Sequence, residues 1–446
     1  MLRGTARLIL VLLASYLFYA WWDYRFVALL IFSTATDYFL GLAIEKNRGS
    51  TRKSRLFLLI SIISNLGILG FFKYYNFFID SFVSVFQVSA QNQWMVEVLL
   101  PPGISFYTFQ TLSYVIDIYR GKFTAEPRFL TFANYVALFP QLVAGPIERP
   151  GQLIPQLHKD QRFDWANIYI GSRLFLIGCF KKLVIADNLA PIADAAFSDP
   201  ASQTSLGLII AAYCFAIQIY CDFSGYSDMA KGIAKMMGIN LSINFNLPYL
   251  ASSLNDFWRR WHMTLSYWLR DYVYIPLGGS RHGFFKHIRN LLITFALSGL
   301  WHGAAWNFVL WGILHGAWIS MELILAQSTR IRLPKSISMF ITLNVVIALW
   351  VLFRTPDLHS ALLYYKNVLL SQAGFYRPED LKSLITFLVY TTPLAAFSIW
   401  QYRANTLTPD LKFASRLAHP IMLGMLAFSV VLLGSENGAQ FIYFQF

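Results

Sequence analysis

Residues 295–316, "FALSGLWHGAAWNFVLWGILHG", indicate the class of fold most directly. They place His302 and His315 inside a run of 32 uncharged residues, from 290 to 321, that is otherwise suited to lipid. Ionisable side chains within membrane segments are costly, usually face a cavity or the protein interior, and mark functional sites. The run is too long for one straight span, so we expect the helix to break near Gly303 or Gly312.

The composition of the whole chain places this stretch in a membrane protein. Hydrophobic residues make up 56% of the 446 residues and charged residues 13%, whereas soluble domains carry roughly 25% charged residues. Long apolar stretches, each about the length of a membrane helix, occur at 6–22, 25–44, 55–72, 167–188, 205–221, 291–321, 337–353, 384–400 and 418–434, and weaker ones at 76–89, 103–118 and 129–144. We predict an all-α polytopic integral membrane protein, one domain over residues 1–446, with roughly ten to twelve embedded helices.

The positive charge of the chain follows from its expected topology. The net charge is +13, but the basic residues are scattered among short loops. Arg3, Arg7 and the segment 45–55 fall on one side of the first two spans, and the positive-inside rule makes that side cytoplasmic. We therefore expect membrane lipids as partners and no nucleic acid. The N-terminal apolar run lacks a small-residue cleavage site and is expected to remain as a first helix.

Residues 254–274, "LNDFWRRWHMTLSYWLRDYVY", fit one amphipathic helix. One face carries Trp258, Trp261, His262, Leu265 and Leu269, and another carries Asp256, Arg259, Arg260 and Arg270. This division is typical of a helix in the membrane interface. Simple anchoring explains the pattern as well as function does, but His262 lies on the inward aromatic face.

His302 is the stronger candidate of the uncharged run. If its helix begins near Arg289, His302 lies about 20 Å along it, inside a hydrocarbon core about 30 Å thick. The structural alternative is a neutral histidine bonded to a neighbouring helix. His315 follows 13 residues later, would not meet His302 on an unbroken helix, and is expected to be structural or supporting.

Other polar groups complete the candidates. Asp222 and Ser224 follow a hydrophobic span and either cap a helix end or line a polar cavity. "DFSGYSD" (222–228) lacks the spacing of a serine nucleophile. Neither the histidines nor the three cysteines have metal-ligand spacing, so we expect no metal site.

Five strings resemble the membrane-bound O-acyltransferase family. They are "PPGISFYTFQTLSYVIDIYRG" (101–121), "LFPQLVAGPIERP" (138–150), "IYCDFSGYSDMAKGIAKMMGI" (219–239), "NFNLPYLASSLNDFWRRWHMTLSYWLRDYVYIPLGGSR" (244–281) and "LSGLWHGAAWNFVLWGILHG" (297–316). They cover most of 101–316. Within the family, "YIPLGGSR" (274–281) is similar to the alginate O-acetyltransferase branch, and a sister branch transfers D-alanine to teichoic acids.

The resemblance implies the fold and the site. It implies a helical bundle with interfacial and re-entrant helices around a central tunnel, in the bacterial cytoplasmic (inner) membrane. It implies His302 as the family's histidine and His262, 40 residues earlier, as its usual partner, a histidine or an asparagine. Supporting or tunnel-lining candidates are Trp258, Trp261, Asp271, Trp301, His315, Asp222 and Ser224, and candidates for donor phosphate contacts are Arg259, Arg260 and Arg270.

The implied reaction is acyl transfer from a cytoplasmic thioester such as acetyl-CoA to an exported polysaccharide. No bound cofactor is expected, and a separate extracytoplasmic protein is expected to hold the polymer. We assign His302 as acceptor of the hydroxyl proton, and His262 as the residue that orients the thioester carbonyl or donates a hydrogen bond to the oxyanion. The alternatives are D-alanyl transfer, a transporter or flippase, and a non-enzymatic scaffold.

Overall fold

The computed structural model describes residues 4–87, 94–328, 333–404, 418–435, 438 and 441–442. Every regular element in these residues is helical. The α-helices are α1 (Gly4–Ala20), α2 (Arg25–Lys46), α3 (Thr51–Leu69), α4 (Tyr75–Phe86), α5 (Ile104–Tyr119), α6 (Phe129–Ala137), α7 (Phe139–Leu142), α8 (Pro150–His158), α9 (Trp165–Cys179), α10 (Asp187–Ser198), α11 (Ser205–Met236), α12 (Leu254–Trp258), α13 (Met263–Leu269), α14 (Phe284–His302), α15 (Trp306–Ser328), α16 (Lys335–Arg354), α17 (Leu358–Leu370), α18 (Pro378–Ala404) and α19 (Ala418–Leu433).

Short irregular helices join some of these elements. In the part of the chain that the structure describes, three are π-helical turns, at Gly70–Tyr74, Phe180–Ala186 and Arg270–Tyr274, and one is a 3₁₀ turn at Pro248–Leu250. The first two join α3 to α4 and α9 to α10 without a loop. Extra residues of this kind inside helices often accompany functional sites.

Long apolar helices confirm the polytopic membrane class. Within the described residues, six are long and apolar enough to cross a membrane: Arg25–Lys46, Thr51–Phe86, Ser205–Met236, Trp306–Ser328, Lys335–Arg354 and Pro378–Ala404. Gly4–Ala20 and Leu423–Leu433 are shorter apolar helices. The protein is therefore a multi-pass membrane protein whose bilayer segments are α-helical.

The chain divides into two compact units, one of residues 1–172 with 230–242, and one of 173–229 with 243–446. In the first unit a buried polar cluster joins apolar helices. Asp37 on α2 accepts hydrogen bonds from Ser61 Oγ at 2.6 Å and Asn65 Nδ2 at 2.8 Å, both on α3. Asn65 Oδ1 in turn accepts from Thr111 Oγ1 of α5 at 3.1 Å. Such bonds hold helices together where lipid gives no hydrophobic drive for association.

The second unit has an aromatic core built mainly from α11, α12, α15 and α16. Phe215, Trp261, Trp311 and Trp350 are fully buried in it. Rings of Trp311 and Trp350 stack with centroids 5.6 Å apart, within the range of favourable aromatic pairs.

The uncharged run forms a helical hairpin, α14 and α15, in this unit. The predicted break near Gly303 is confirmed, because α14 ends at His302 and Gly303 is extended with φ −154° and ψ 148°; Gly312 lies inside α15. A Cβ on Gly299 would collide with the Phe308 carbonyl oxygen, and one on Gly312 with the Phe295 carbonyl oxygen. The two glycines therefore let the helix backbones touch.

Candidate functional site

His302 occupies the last position of α14 and is buried, with 3% of its surface exposed. Its imidazole is surrounded by rings, with centroids 4.9 Å away at Trp301, 5.2 Å at Trp311 and 5.4 Å at Phe353. The helix begins at Phe284, five residues before the Arg289 start that we assumed. The calculated 20 Å advance along the helix therefore does not apply, and the depth of His302 in the bilayer stays a prediction.

His262 lies at a break in the chain, so the expectation of one helix over 254–274 is wrong. Helix α12 ends at Trp258 and α13 begins at Met263, and between them His262 adopts left-handed backbone angles, φ 42° and ψ 53°. Non-glycine residues rarely adopt this conformation, and it concentrates at functional sites.

Pairing with residues 244–246 explains this break. The amide of Met263 donates to the Asn244 carbonyl at 2.9 Å, and the amide of Asn246 donates to the Arg260 carbonyl at 2.9 Å. Backbone groups that a helix would have used internally are bonded to another segment instead. The aromatic face predicted from periodicity is still buried, including Trp258, Trp261 and His262.

Asn244 is a site residue that sequence reasoning missed. It is buried, and its side-chain oxygen lies 3.1 Å from His262 Nδ1, 3.3 Å from the Thr264 amide and 3.0 Å from Thr264 Oγ1. Its position in "NFN" (244–246) carries no spacing signal, because the contact depends on the pairing just described.

The two predicted catalytic histidines come together. The centroids of the His262 and His302 rings are 6.5 Å apart, and Trp301 packs edge-on against both, 5.8 Å from His262. The Phe223 ring also packs against His262, with centroids 4.7 Å apart. His262 is fully buried, and burial lowers the pKa of its imidazole from 6.5 to about 3. His262 is therefore neutral near pH 7.

His315 lies on α15 and contacts the same Trp311 ring as His302. The Trp311 ring is 4.7 Å from His315 and 5.2 Å from His302. The indole Nε1 of Trp258 donates to His315 Nδ1 at 3.2 Å, which attaches α12 to α15. The buried rings of Trp258, Trp261, Trp311 and Trp350 form an aromatic wall, which His315 and Trp258 support. Trp261 is part of the same wall, 4.9 Å from Trp350.

Asp222 and Ser224 do not end a helix, so the capping alternative is wrong. Helix α11 runs on to Met236, and both side chains are buried inside it. Asp222 forms a 2.7 Å ion pair with Lys182, which also pairs with Asp187 at 2.7 Å. The second Asp222 oxygen accepts from the amide of Ile442 at 2.7 Å. A lysine from the neighbouring π-helical turn balances the charge, which the local sequence does not reveal.

The arginine candidates are exposed or paired with aspartates. Arg259 is exposed, Arg260 pairs with Asp256 at 2.8 Å, and Arg270 pairs with Asp271 at 2.8 Å with 54% of its side chain exposed. Asp271 is thus one half of a partly exposed ion pair. Contacts between these arginines and donor phosphates stay predictions.

Known proteins resemble the chain along nearly its whole length. The sequence model of the membrane-bound O-acyltransferase family matches residues 122–356, which contain both histidines. A "probable alginate O-acetylase" of Azotobacter vinelandii is 36% identical over 99% of this chain and 95% of its own. A peptidoglycan O-acetyltransferase of Helicobacter pylori is 38% identical over 80% of this chain and 73% of its own. A teichoic acid D-alanyltransferase of Bacillus subtilis is 28% identical over 48% and 56%.

Proposed function

The chain belongs to the membrane-bound O-acyltransferase family and is an O-acyltransferase. On that premise we propose that it moves an acetyl group from a cytoplasmic thioester such as acetyl-CoA to hydroxyls of an exported polysaccharide such as alginate. The observation that carries the proposal is the pair of buried imidazoles, His262 and His302, with ring centroids 6.5 Å apart. The O-acetylating relatives match more of this chain, at higher identity, than the D-alanyl transferase does, which favours acetyl.

The spacing of the two rings suits a reacting group between them. A separation of 6.5 Å between centroids is too long for a direct imidazole–imidazole hydrogen bond, so one ring is free to bond the hydroxyl oxygen and the other the carbonyl oxygen. The hydroxyl oxygen attacks the thioester carbonyl, its proton passes to an imidazole and then to the leaving thiolate, and the C–O bond forms as the C–S bond breaks. The surrounding aromatic side chains exclude water that would hydrolyse the thioester.

Direct transfer needs two functions from the protein. One group must accept the hydroxyl proton, and another must stabilise the negative charge on the carbonyl oxygen. Two imidazoles supply both when they are neutral, since each then carries one N–H and one lone pair. No covalent acyl-enzyme step is required.

The location of donor and acceptor determines the route. The donor is cytoplasmic and the polymer lies outside the bacterial inner membrane, so the acetyl group passes along a tunnel through the protein. A separate extracytoplasmic protein binds the polysaccharide and presents its hydroxyls.

Reconstituted protein tests the proposal. Protein in lipid nanodiscs is given acetyl-CoA and alginate oligosaccharides, and release of free CoA thiol and acetylated sugar is measured. His302→Ala is expected to lose about 100-fold or more in rate, while His359→Ala, at an exposed position, keeps the wild-type rate. Folded His302→Ala protein that acetylates at the normal rate overturns the proposal. A D-alanyl thioester on a carrier protein, offered in place of acetyl-CoA, tests the D-alanyl alternative.

A further inference from the structure

Two cavities of the first unit adjoin at the start of α1. Their volumes are about 300 Å³ and about 310 Å³, each at the lower end of the range of small-molecule sites. Arg7, Leu8 and Leu157 line both cavities, which therefore share a boundary. Every residue that lines them belongs to the first unit, whereas His262 and His302 belong to the second. The cavities are thus built without either candidate histidine.

The lining of these cavities changes from polar to apolar along α1. The first cavity is lined by Gly4, Thr5 and Arg7 of this helix, and the second by Leu10 and Val11. From residue 4 to residue 11 the helix advances about 10 Å, enough to pass from the headgroup layer of a bilayer into its hydrocarbon. The start of α1 is on the side that we predict to be cytoplasmic. A phospholipid on that side changes from polar to apolar in the same direction.

The lining carries an excess of positive charge. Among the described residues that line the two cavities are three arginines and one carboxylate, namely Arg7, Arg128, Arg162 and Asp160. The Asp160 carboxylate accepts from the amide of Gly4 at 2.8 Å, at the helix start, where a negative charge is favourable. The arginines that remain in excess suit an anionic group, and a phosphate is the anion whose geometry arginine matches well.

Arg7 is held at the boundary between the two cavities. Its Nη2 donates to the Leu157 carbonyl at 2.7 Å, which uses one of the five N–H groups of a guanidinium. Nearby, Glu126 is buried and its two oxygens are bonded within the protein, to His158 Nε2 at 2.6 Å and to the Arg128 amide at 3.0 Å. The arginine side chains therefore keep N–H groups for a ligand.

Aromatic residues indicate the depth of the site. Phe163 lines the apolar cavity, and its ring packs edge-on against Trp165 with centroids 4.8 Å apart. Trp165 is 74% exposed, and exposed tryptophans of membrane proteins are enriched at headgroup level. Met236 and Met237 also line this cavity, and the flexible methionine side chain adapts to an irregular apolar ligand.

We propose that the two cavities bind one anionic phospholipid, with its phosphate between Arg7 and Arg128 and one acyl chain against Val11 and Met237. Basic pockets between membrane helices on the cytoplasmic side bind anionic headgroups. Acetyl-CoA also carries phosphates, but it has no long hydrocarbon chain to fill the apolar cavity. The proposal does not depend on the acyl transfer proposed above.

Native mass spectrometry of the full chain in detergent tests the choice of lipid. The protein is titrated with phosphatidylglycerol and, separately, with phosphatidylcholine that has the same acyl chains. We expect one phosphatidylglycerol to be retained per chain, with an affinity about tenfold higher than that of phosphatidylcholine. Equal retention of the two lipids would mean that only ordinary boundary lipid is bound, and would overturn the proposal.

Arginine substitutions test the headgroup contacts. Arg128→Gln combined with Arg162→Gln changes two exposed side chains and should weaken phosphatidylglycerol binding about tenfold. Arg52→Gln combined with Arg55→Gln, also at exposed positions, removes the same charge on the same predicted side and should change the affinity less than about twofold. Arg7 is kept in both proteins, because it also bonds to the backbone. Equal losses in the two double variants contradict the site.

Val11→Trp tests the apolar cavity without changing the charge. The larger side chain occupies the space of the acyl chain, and we expect phosphatidylglycerol binding to weaken about tenfold. Leu13→Trp, on the same helix at a position 61% exposed, is the matched control, and thermal unfolding shows that both proteins are folded. Unchanged affinity in folded Val11→Trp would show that a phosphate alone is bound, and the lipid assignment would be wrong.

Competition with acetyl-CoA distinguishes the two sources of phosphate. We expect bound phosphatidylglycerol to stay on the protein as acetyl-CoA is added. Displacement that is lost in the Arg128→Gln and Arg162→Gln double variant would assign the cavities to the acyl donor and overturn the proposal. None of these measurements requires acyl transfer, so a failure of lipid binding and a failure of the proposed function are separate results.

Discussion

Two buried histidines of the second unit, His262 and His315, carry their protons on opposite nitrogens. The Asn244 amide oxygen accepts from the backbone amide of Thr264 and lies 3.1 Å from Nδ1 of His262, which must therefore donate to it, whereas Nδ1 of His315 accepts from the indole N–H of Trp258. His262 therefore has its lone pair on Nε2, and His315 has its hydrogen there. Both rings are fully buried. The residue that contacts Nδ1, rather than burial, therefore determines which nitrogen of a histidine in this core donates a hydrogen bond and which one accepts.

Removing each imidazole gives the largest expected difference. His262→Ala should lower acetyl transfer by about 10²- to 10³-fold, the usual effect of removing a group that bonds to the reacting atoms. His315→Ala should lower it by no more than about tenfold, because its ring is a support of the wall rather than a contact of the reacting atoms. Rates are measured from CoA release, together with thermal unfolding in detergent. If the two folded variants lost the same rate, His262 and His315 would not differ in their contribution to acetyl transfer.

Trp258→Phe tests the bond that sets the tautomer of His315. It removes the indole N–H and leaves the buried Nδ1 of His315 without its donor, which should cost about 1–3 kcal/mol of stability. The free energy of unfolding is measured by denaturant titration in detergent, and kcat should stay within about threefold of the wild-type value. Trp165→Phe, at a position 74% exposed, is the matched control. A large loss of kcat without a loss of stability would place His315 in the chemistry.

Glu322→Gln tests the second attachment of α12 to α15. The Glu322 carboxylate accepts from the amides of Leu254 at 2.8 Å and Asn255 at 3.5 Å, at the start of α12. Replacing a charged acceptor by a neutral one should cost about 1 kcal/mol of stability. Thermal unfolding measures the loss. An unchanged stability would mean that the Trp258–His315 bond alone holds α12 in place.

Arg259→Gln should have the smallest effect. Arg259 is exposed, so a contact with a donor phosphate would be screened and would change KM for acetyl-CoA by only about two- to fivefold, with kcat unchanged. Steady-state kinetics at two salt concentrations measure this change, with the exposed Arg52→Gln as control. An unchanged KM at low salt would remove Arg259 from the donor site.

Sequence reasoning reached the features that depend on composition and local pattern. The lengths of the apolar runs predicted the membrane class, and Gly303 predicted the break between α14 and α15. The two histidines that the family resemblance nominated do lie together. Each of these depends on a signal contained within a few turns of helix or in a recognised string.

Features that depend on distant partners were missed. Periodicity over 254–274 was satisfied by two short helices as well as by one, and only the pairing with 244–246 breaks the chain at His262. The polar residues near Asp222 have the composition of a helix end, although the helix continues through them. The charge of Asp222 is balanced by Lys182, 40 residues earlier, which the local pattern does not show. No local pattern could reveal that Asn244 would face His262 Nδ1.

The backbone contact at Gly299 and Gly312 has a consequence for biogenesis. Helix α14 carries Lys286, His287 and Arg289 near its start and is not one of the six helices in the described residues that are long and apolar enough to cross a membrane, whereas its partner α15 is. Because their backbones touch at these glycines, we expect the translocon to release them into lipid as a pair. If synthesis stopped just after His302, α14 would lack the apolar partner that accompanies it into the bilayer.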